Sequence, residues 1–114
     1  MRRVYIAHPL RGDHPNDLAA IERNITRVEL IARRVAEEEA NVLILSPIHA
    51  FSFLSPIGDQ SLPLAMCASL LEMADEVRFY GDWRTSEGCM FERFLALRRG
   101  LPVFYPEEEN HGAD

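Results

Sequence analysis

Val42-Leu43-Ile44-Leu45 is an unbroken apolar run of strand length, closed by Ser46-Pro47. A strand with one wet face alternates polar and apolar residues. A strand without alternation is covered on both faces, as in a parallel sheet held between helices. Parallel neighbours need long crossovers, and the rest of the chain supplies them. Arg3 to Ala7 is a β-rich run stopped by His8-Pro9, and Val77 to Tyr80 and Val103 to Tyr105 are two more. Between the first two strands, Leu18, Ile21, Ile25, Val28, Ala32 and Val35 recur at helical spacing, with Asn16 or Asp17 as cap and Asn41 as a left-handed stop. A second helix is predicted over Leu62 to Met73 with Ser61 as its cap, and a third over Ser86 to Arg99. The order β-α-β-α-β-α-β predicts an α/β fold: a three-layer α/β/α domain around a parallel sheet of four to five strands, joined right-handedly.

The chain has 114 residues, 47% of them hydrophobic, which is enough for one core without disulfides. We read residues 1–105 as a single domain and 106–114 as a frayed acidic tail. Acidic residues outnumber Lys and Arg by 18 to 12, so no surface could neutralise a long run of phosphates, and a nucleic-acid polymer is not an expected partner. Cys67 and Cys89 fit no metal or disulfide spacing, nor do His8, His14 and His49. We therefore expect no metal, no cofactor and a reducing, cytoplasmic setting. The apolar stretch after Arg2-Arg3 is too short for a signal peptide, and nothing approaches the roughly 18 residues of a membrane span, so no membrane partner is expected.

In parallel sheets ligands bind beyond the carboxyl ends of the strands, where strand order reverses. The loops after Ala7, Leu45 and Tyr80 are therefore the candidates. The first carries His8, Arg11 and Gly12. Arg11 can fork onto a phosphate or carboxylate, or it can simply pair with Asp13 or a helix end. The second, Ile48 to Gln60, is mostly apolar without a clear period, as a pocket wall or partner surface would be. His49 could line the same cleft, or be structural.

The third loop leads to Ser86-Glu87-Gly88-Cys89-Met90-Phe91-Glu92. Ser86 stands at an N-cap position, and the unpaired N–H groups of a helix start attract anions. Gly88 leaves room for a ligand. Glu92 lies between Gly88 and Ala96 at helical spacing, either in a slot or as an ordinary solvated acid. Met90, Phe91, Phe94, Leu95 and Leu97 are expected to make the core contacts, and both cysteines to be small core residues. Asp82 reads as a turn former after Gly81. Tyr5 points at the ligand or fills core.

Two segments together resemble a known family. Val4-Tyr5-Ile6-Ala7-His8-Pro9-Leu10-Arg11-Gly12 resembles the opening of the nucleoside 2-deoxyribosyltransferase-like superfamily, more narrowly the DUF4406 group of small bacterial and phage proteins. Ala74-Asp75-Glu76-Val77, Gly81-Asp82, the Ser-x-Gly-x-x-x-Glu of Ser86 to Glu92, and Gly100-Leu101-Pro102-Val103 agree with it. The resemblance implies a Rossmann- or flavodoxin-like fold and a nucleoside or nucleoside 5′-monophosphate as substrate. It implies Glu92 as the nucleophile at the anomeric carbon, Tyr5 as its orienter, and Arg11, Gly12, Ser86 and Gly88 as the phosphate grip beside His8. The chain departs from the pattern where relatives have an Asp, eight residues before Asp75, and this sequence has Cys67. Asp82 is the candidate substitute as acid/base. The transferases also complete a neighbour's pocket from an extended C-terminus, which has no equivalent here, so hydrolysis or plain binding is favoured over base exchange.

Three readings follow: an N-glycosidase or deoxyribosyltransferase-like enzyme, a non-catalytic nucleotide sensor on the same fold, or a scaffold using Ala50 to Ile57 as a partner surface. That apolar loop also implies a homodimer or larger homo-oligomer.

Overall fold

The computed structural model describes residues 1–12 and 15–108. In chain order the elements are β1 (Arg2–Ala7), α1 (Leu18–Glu38), β2 (Val42–Leu45), α2 (Pro47–Ala50), α3 (Ser61–Leu71), β3 (Glu76–Phe79), a 3-10 turn (Trp83–Thr85), α4 (Glu87–Arg98) and β4 (Val103–Phe104). The four strands form one parallel sheet in the order β2-β1-β3-β4 with helices on both faces, the predicted three-layer α/β/α domain. Four strands is the lower end of the expected range.

Strand alternation divides the core in two. Val4 and Ile6 of β1 pack with Val28 and Val35 of α1, while Tyr5 and Ala7 face the opposite way, into a core with Leu71, Val77, Phe79, Cys89 and Ala96. The period of two thus aims Tyr5 at the α3–α4 layer. Asp17 caps α1 by accepting from the Ala20 N–H at 3.1 Å, and Asn41 takes a left-handed φ of 59° after the helix. Leu18, expected in the buried stripe, lies in the first turn and is exposed, and Ala20 is buried instead.

Four other expectations change. The loop after β2 begins with a helical turn, α2, which Pro47 opens at a position where a missing N–H does no harm. Ser61 does not cap α3 but starts it, and Asp59 Oδ1 accepts from both the Ser61 N–H (3.0 Å) and the Ser61 hydroxyl (2.7 Å). The start of the tail is docked: Glu107 accepts from the Gly81 N–H and pairs with Arg27, and Glu108 pairs with Arg84. The remainder, from residue 109, lies outside the described residues, as do Asp13 and His14.

The fourth change concerns α4. Of its large apolar side chains only Leu95 packs against the core, while Met90, Phe91, Phe94 and Leu97 are exposed. The buried face is Cys89, Glu92 and Ala96. Small residues there let the helix pack closely inward, so Glu92 is buried and meets Tyr5 of β1 instead of solvent. Among the described residues no helix is long and apolar enough to cross a membrane.

Candidate functional site

The strand order reverses between β1 and β3, and beyond their carboxyl ends lies a cavity of about 430 Å³. All three predicted loops line it: His8, Arg11 and Gly12 from the first, Ile48, His49, Phe51, Leu54 and Pro56 among others from the second, and Thr85 to Cys89 with Glu92 from the third. The volume suits a small molecule of nucleotide size. The segment 48–60 is therefore chiefly a pocket wall, through Phe51, Leu54 and Pro56, although Phe53 and Ile57 remain exposed.

Ser86 caps α4 as expected, its hydroxyl accepting from the Cys89 N–H at 3.2 Å. At Gly88 an added methyl would meet only Leu64 Cδ2 at 3.7 Å and Ser86 Oγ at 3.8 Å. Packing does not require glycine there, so its small size serves the open side. Across the cavity Arg11 reaches the carbonyl of Gly58 at 3.4 Å and has no carboxylate partner among the described residues. Asn24 of α1 fixes this first loop by donating to the Leu10 carbonyl at 2.8 Å.

Glu92 is 6% exposed, and the Tyr5 hydroxyl donates to its Oε2. Several acids of this chain pair with arginines, but Glu92 has no cation beside it among the described residues. Burial pushes its carboxyl up from 4.5 to about 7, partly offset by the Tyr5 bond. Both protonation states are thus populated near neutral pH. Burial and the Glu92 charge hold the Tyr5 phenol well above its usual value, so it remains a donor. The geometry resolves the two readings of Tyr5: its ring is fully buried core, and its hydroxyl holds a cavity carboxylate.

Cys67 is half-buried and lines the cavity near both groups, which spacing alone did not reveal. Burial and the Glu92 charge push its thiol up to about 12, so it stays neutral. Cys89 is core as expected, though it also borders the cavity.

Asp82 is not brought to the site. Gly81, at φ +66°, turns the chain so that Asp82 is exposed and outside the cavity lining, while Trp83 is buried beside Phe79 and Tyr105. The acid/base candidacy of Asp82 is thereby withdrawn. Of the two readings of His49, the structure has it line the cavity, where it shares a 2.7 Å hydrogen bond with the Ser46 hydroxyl.

His8 is buried, and its Nδ1 donates to the Pro9 carbonyl at 2.7 Å. In the neutral ring that leaves Nε2 as the bare acceptor, and among the described residues Nε2 has no partner. Burial lowers its pKa, which agrees with the neutral form. The ring sits against Gly81, where a Cβ would come within 2.8 Å of Nε2. Gly81→Ala should lower unfolding free energy by about 2 kcal/mol or more, from left-handed strain plus this clash. Denaturant titration measures it, and His8→Ala in the same chain should recover part of the loss. No recovery would show that the close approach is not the cause.

Among the described residues no three His, Cys, Asp or Glu side chains converge as a metal site. Comparison of the sequence with protein-family models gives no match, and a search of curated proteins gives none.

Proposed function

We propose that this chain is an N-glycosidase of the nucleoside 2-deoxyribosyltransferase-like type, acting on a nucleoside 5′-monophosphate with Glu92 as nucleophile. The observation that carries the reading is a buried carboxylate with no cation beside it among the described residues, held by a phenol at the wall of a nucleotide-sized cavity. Burying an unpaired acid destabilises a fold, and such groups concentrate where chemistry uses them. In its ionised form Glu92 attacks C1′, and the C1′–N bond breaks with its electron pair going to the base. The departing nitrogen takes a proton from water or from His49 on the cavity wall. Water then attacks C1′ of the glycosyl ester and the bond from C1′ to the Glu92 oxygen breaks, its electron pair returning to the carboxylate, while the proton of the attacking water goes to solvent or back to His49, freeing Glu92 and the sugar. Arg11, Gly12, Ser86 and the N–H groups opening α4 receive the phosphate.

Free base released from a panel of nucleosides and their 5′-monophosphates tests the reaction. Arg11→Ala should raise KM roughly tenfold for the monophosphate and leave the nucleoside little changed. Equal effects on both would remove the phosphate assignment, and no release from any substrate would remove the enzyme reading. The neutral Cys67 thiol favours a second reading, a nucleotide-binding module without turnover. Calorimetry showing tight nucleotide binding without base release would select it.

A further inference from the structure

We propose that Glu107 is a positioning residue of the cavity: the segment Tyr105 to Glu108 straps down the loop from Gly81 to Thr85, and so holds Ser86 and the start of α4 where an anion is received. The strap stands on contacts within the chain, and its effect on affinity rests on the nucleotide reading. The loop carries the chain from β3 to α4 and is stiff within itself. The Thr85 N–H and hydroxyl both return to the Asp82 carbonyl, at 3.2 and 2.8 Å, and the Ser86 N–H returns to the Trp83 carbonyl at 3.1 Å. Such a unit moves as a body, so its ends set its place. At the first end the Gly81 N–H donates to Glu107 Oε1 at 2.6 Å, and the other carboxylate oxygen pairs with Arg27 of α1 at 3.4 Å. At the second, Glu108 pairs with Arg84, whose guanidinium lies 4.3 Å from the centre of the Trp83 ring, and Trp83 stacks on Tyr105 at 5.2 Å. Thr85 and Ser86, which follow Arg84, line the cavity.

Of the two acids, Glu107 matters more. Both ion pairs are exposed, and exposed pairs contribute little. Glu107 also takes a backbone N–H, that of Gly81, which has no other acceptor among the described residues. A charge-assisted bond of this kind is roughly twice as strong as a neutral one. Gly81, at φ +66°, rests on the His8 ring and lies nearest to its Nε2. A Gly81 that lifts therefore carries the stiff loop outward and unseats His8 on the cavity wall. Neither Glu107 nor Glu108 lines the cavity, so their influence on a ligand passes through the loop.

Hydrogen exchange and ligand binding on the full chain, parent beside Glu107→Ala and Glu107→Gln, test this. Glu107 is exposed, so both variants fold. Glu107→Ala should speed exchange at the Gly81 amide on the order of tenfold or more, because its acceptor is gone. Trp83, the chain's one tryptophan, should become roughly twofold more open to acrylamide quenching of its fluorescence. KM for the nucleoside 5′-monophosphate should rise roughly tenfold with turnover at saturation within about twofold, and KM for the nucleoside should change little. Glu107→Gln keeps an acceptor for Gly81 and should return each quantity most of the way to the parent's. Parent-like exchange and quenching in Glu107→Ala overturn the strap. Faster exchange with unchanged KM, or equal loss for nucleoside and monophosphate, overturns the positioning role. A parent chain that binds no monophosphate in calorimetry overturns the nucleotide reading and the positioning role with it, while the exchange result still decides the strap.

Discussion

Glu92→Gln should abolish base release while the nucleotide still binds. The substitution keeps the volume and a hydrogen-bonding partner for Tyr5, but it removes the negative charge that makes the oxygen a nucleophile toward C1′. We expect turnover to fall by on the order of 10³-fold or more, with the dissociation constant of the monophosphate unchanged within the same order. Single-turnover measurement of free base, beside calorimetry on the same preparation, separates the two quantities. A Glu92→Gln protein releasing base within tenfold of the parent would exclude a nucleophilic role for this carboxylate. Loss of binding together with turnover would point instead to a misfolded pocket, which the unfolding midpoint of the variant would reveal.

The same residue governs the second large effect, on stability. Glu92 has a folded-state pKa of about 7 against an ordinary 4.5, so between those values the folded chain holds a proton that the unfolded chain has released. Stability from this group is therefore fully present below about pH 4.5 and is lost as pH rises through 7. Relative to the parent, Glu92→Gln should gain about 2–3 kcal/mol in unfolding free energy between pH 5 and pH 8. The comparison must be a difference between the two proteins, because other groups titrate as well. The lowered pKa of His8 makes stability rise with pH through the range below 6.5, the opposite sign. The Arg-paired carboxylates of Glu39 and Asp75, both lowered, add stability that is lost on further acidification. The groups around Glu92 itself are Tyr5 of β1, Cys67 of α3 and Cys89 of α4, all held neutral by burial. Because the Tyr5 bond lowers the Glu92 pKa, Tyr5→Phe should move the midpoint to higher pH. Urea titrations at half-unit pH intervals test both statements. A parent–variant difference that is flat from pH 5 to 8 would show that Glu92 is not a titrating buried acid.

Both expectations trace to the seating of α4. Had its phenylalanines faced the sheet, the helix would stand further away and Glu92 would have rotated toward solvent. Cys89 and Ala96 at the buried positions bring the backbone in, and the one long side chain that is fully buried among them is the acid. Tyr5 then reaches it because the two-residue period of β1 aims alternate side chains at that layer.

Much of this was legible from the sequence. The unbroken apolar run of Val42–Leu45 identified a parallel strand but not its exposure, since β2 is an edge strand with Leu43 exposed, and the three- and four-residue spacing of α1 identified an amphipathic helix, because that spacing depends on local backbone geometry. Ser86 as a cap and Asn41 as a left-handed stop were readable for the same reason: each satisfies groups within one turn of itself. Placing the site at three loops followed from the direction of parallel strands alone.

What the tertiary structure decided concerns direction. Periodicity cannot orient α4, which carries apolar residues on nearly every side, so its buried face was set by which residues are small enough to meet the sheet. Asp82 left the site because Gly81 turns the backbone, and Cys67 entered it because α3 packs beside α4. The acidic segment Glu107–Glu108 is tied down by Arg27, Arg84 and the Gly81 N–H, partners distant in the chain. Local chemistry settled the elements of this protein, whereas contacts between residues far apart in sequence settled which side chains meet.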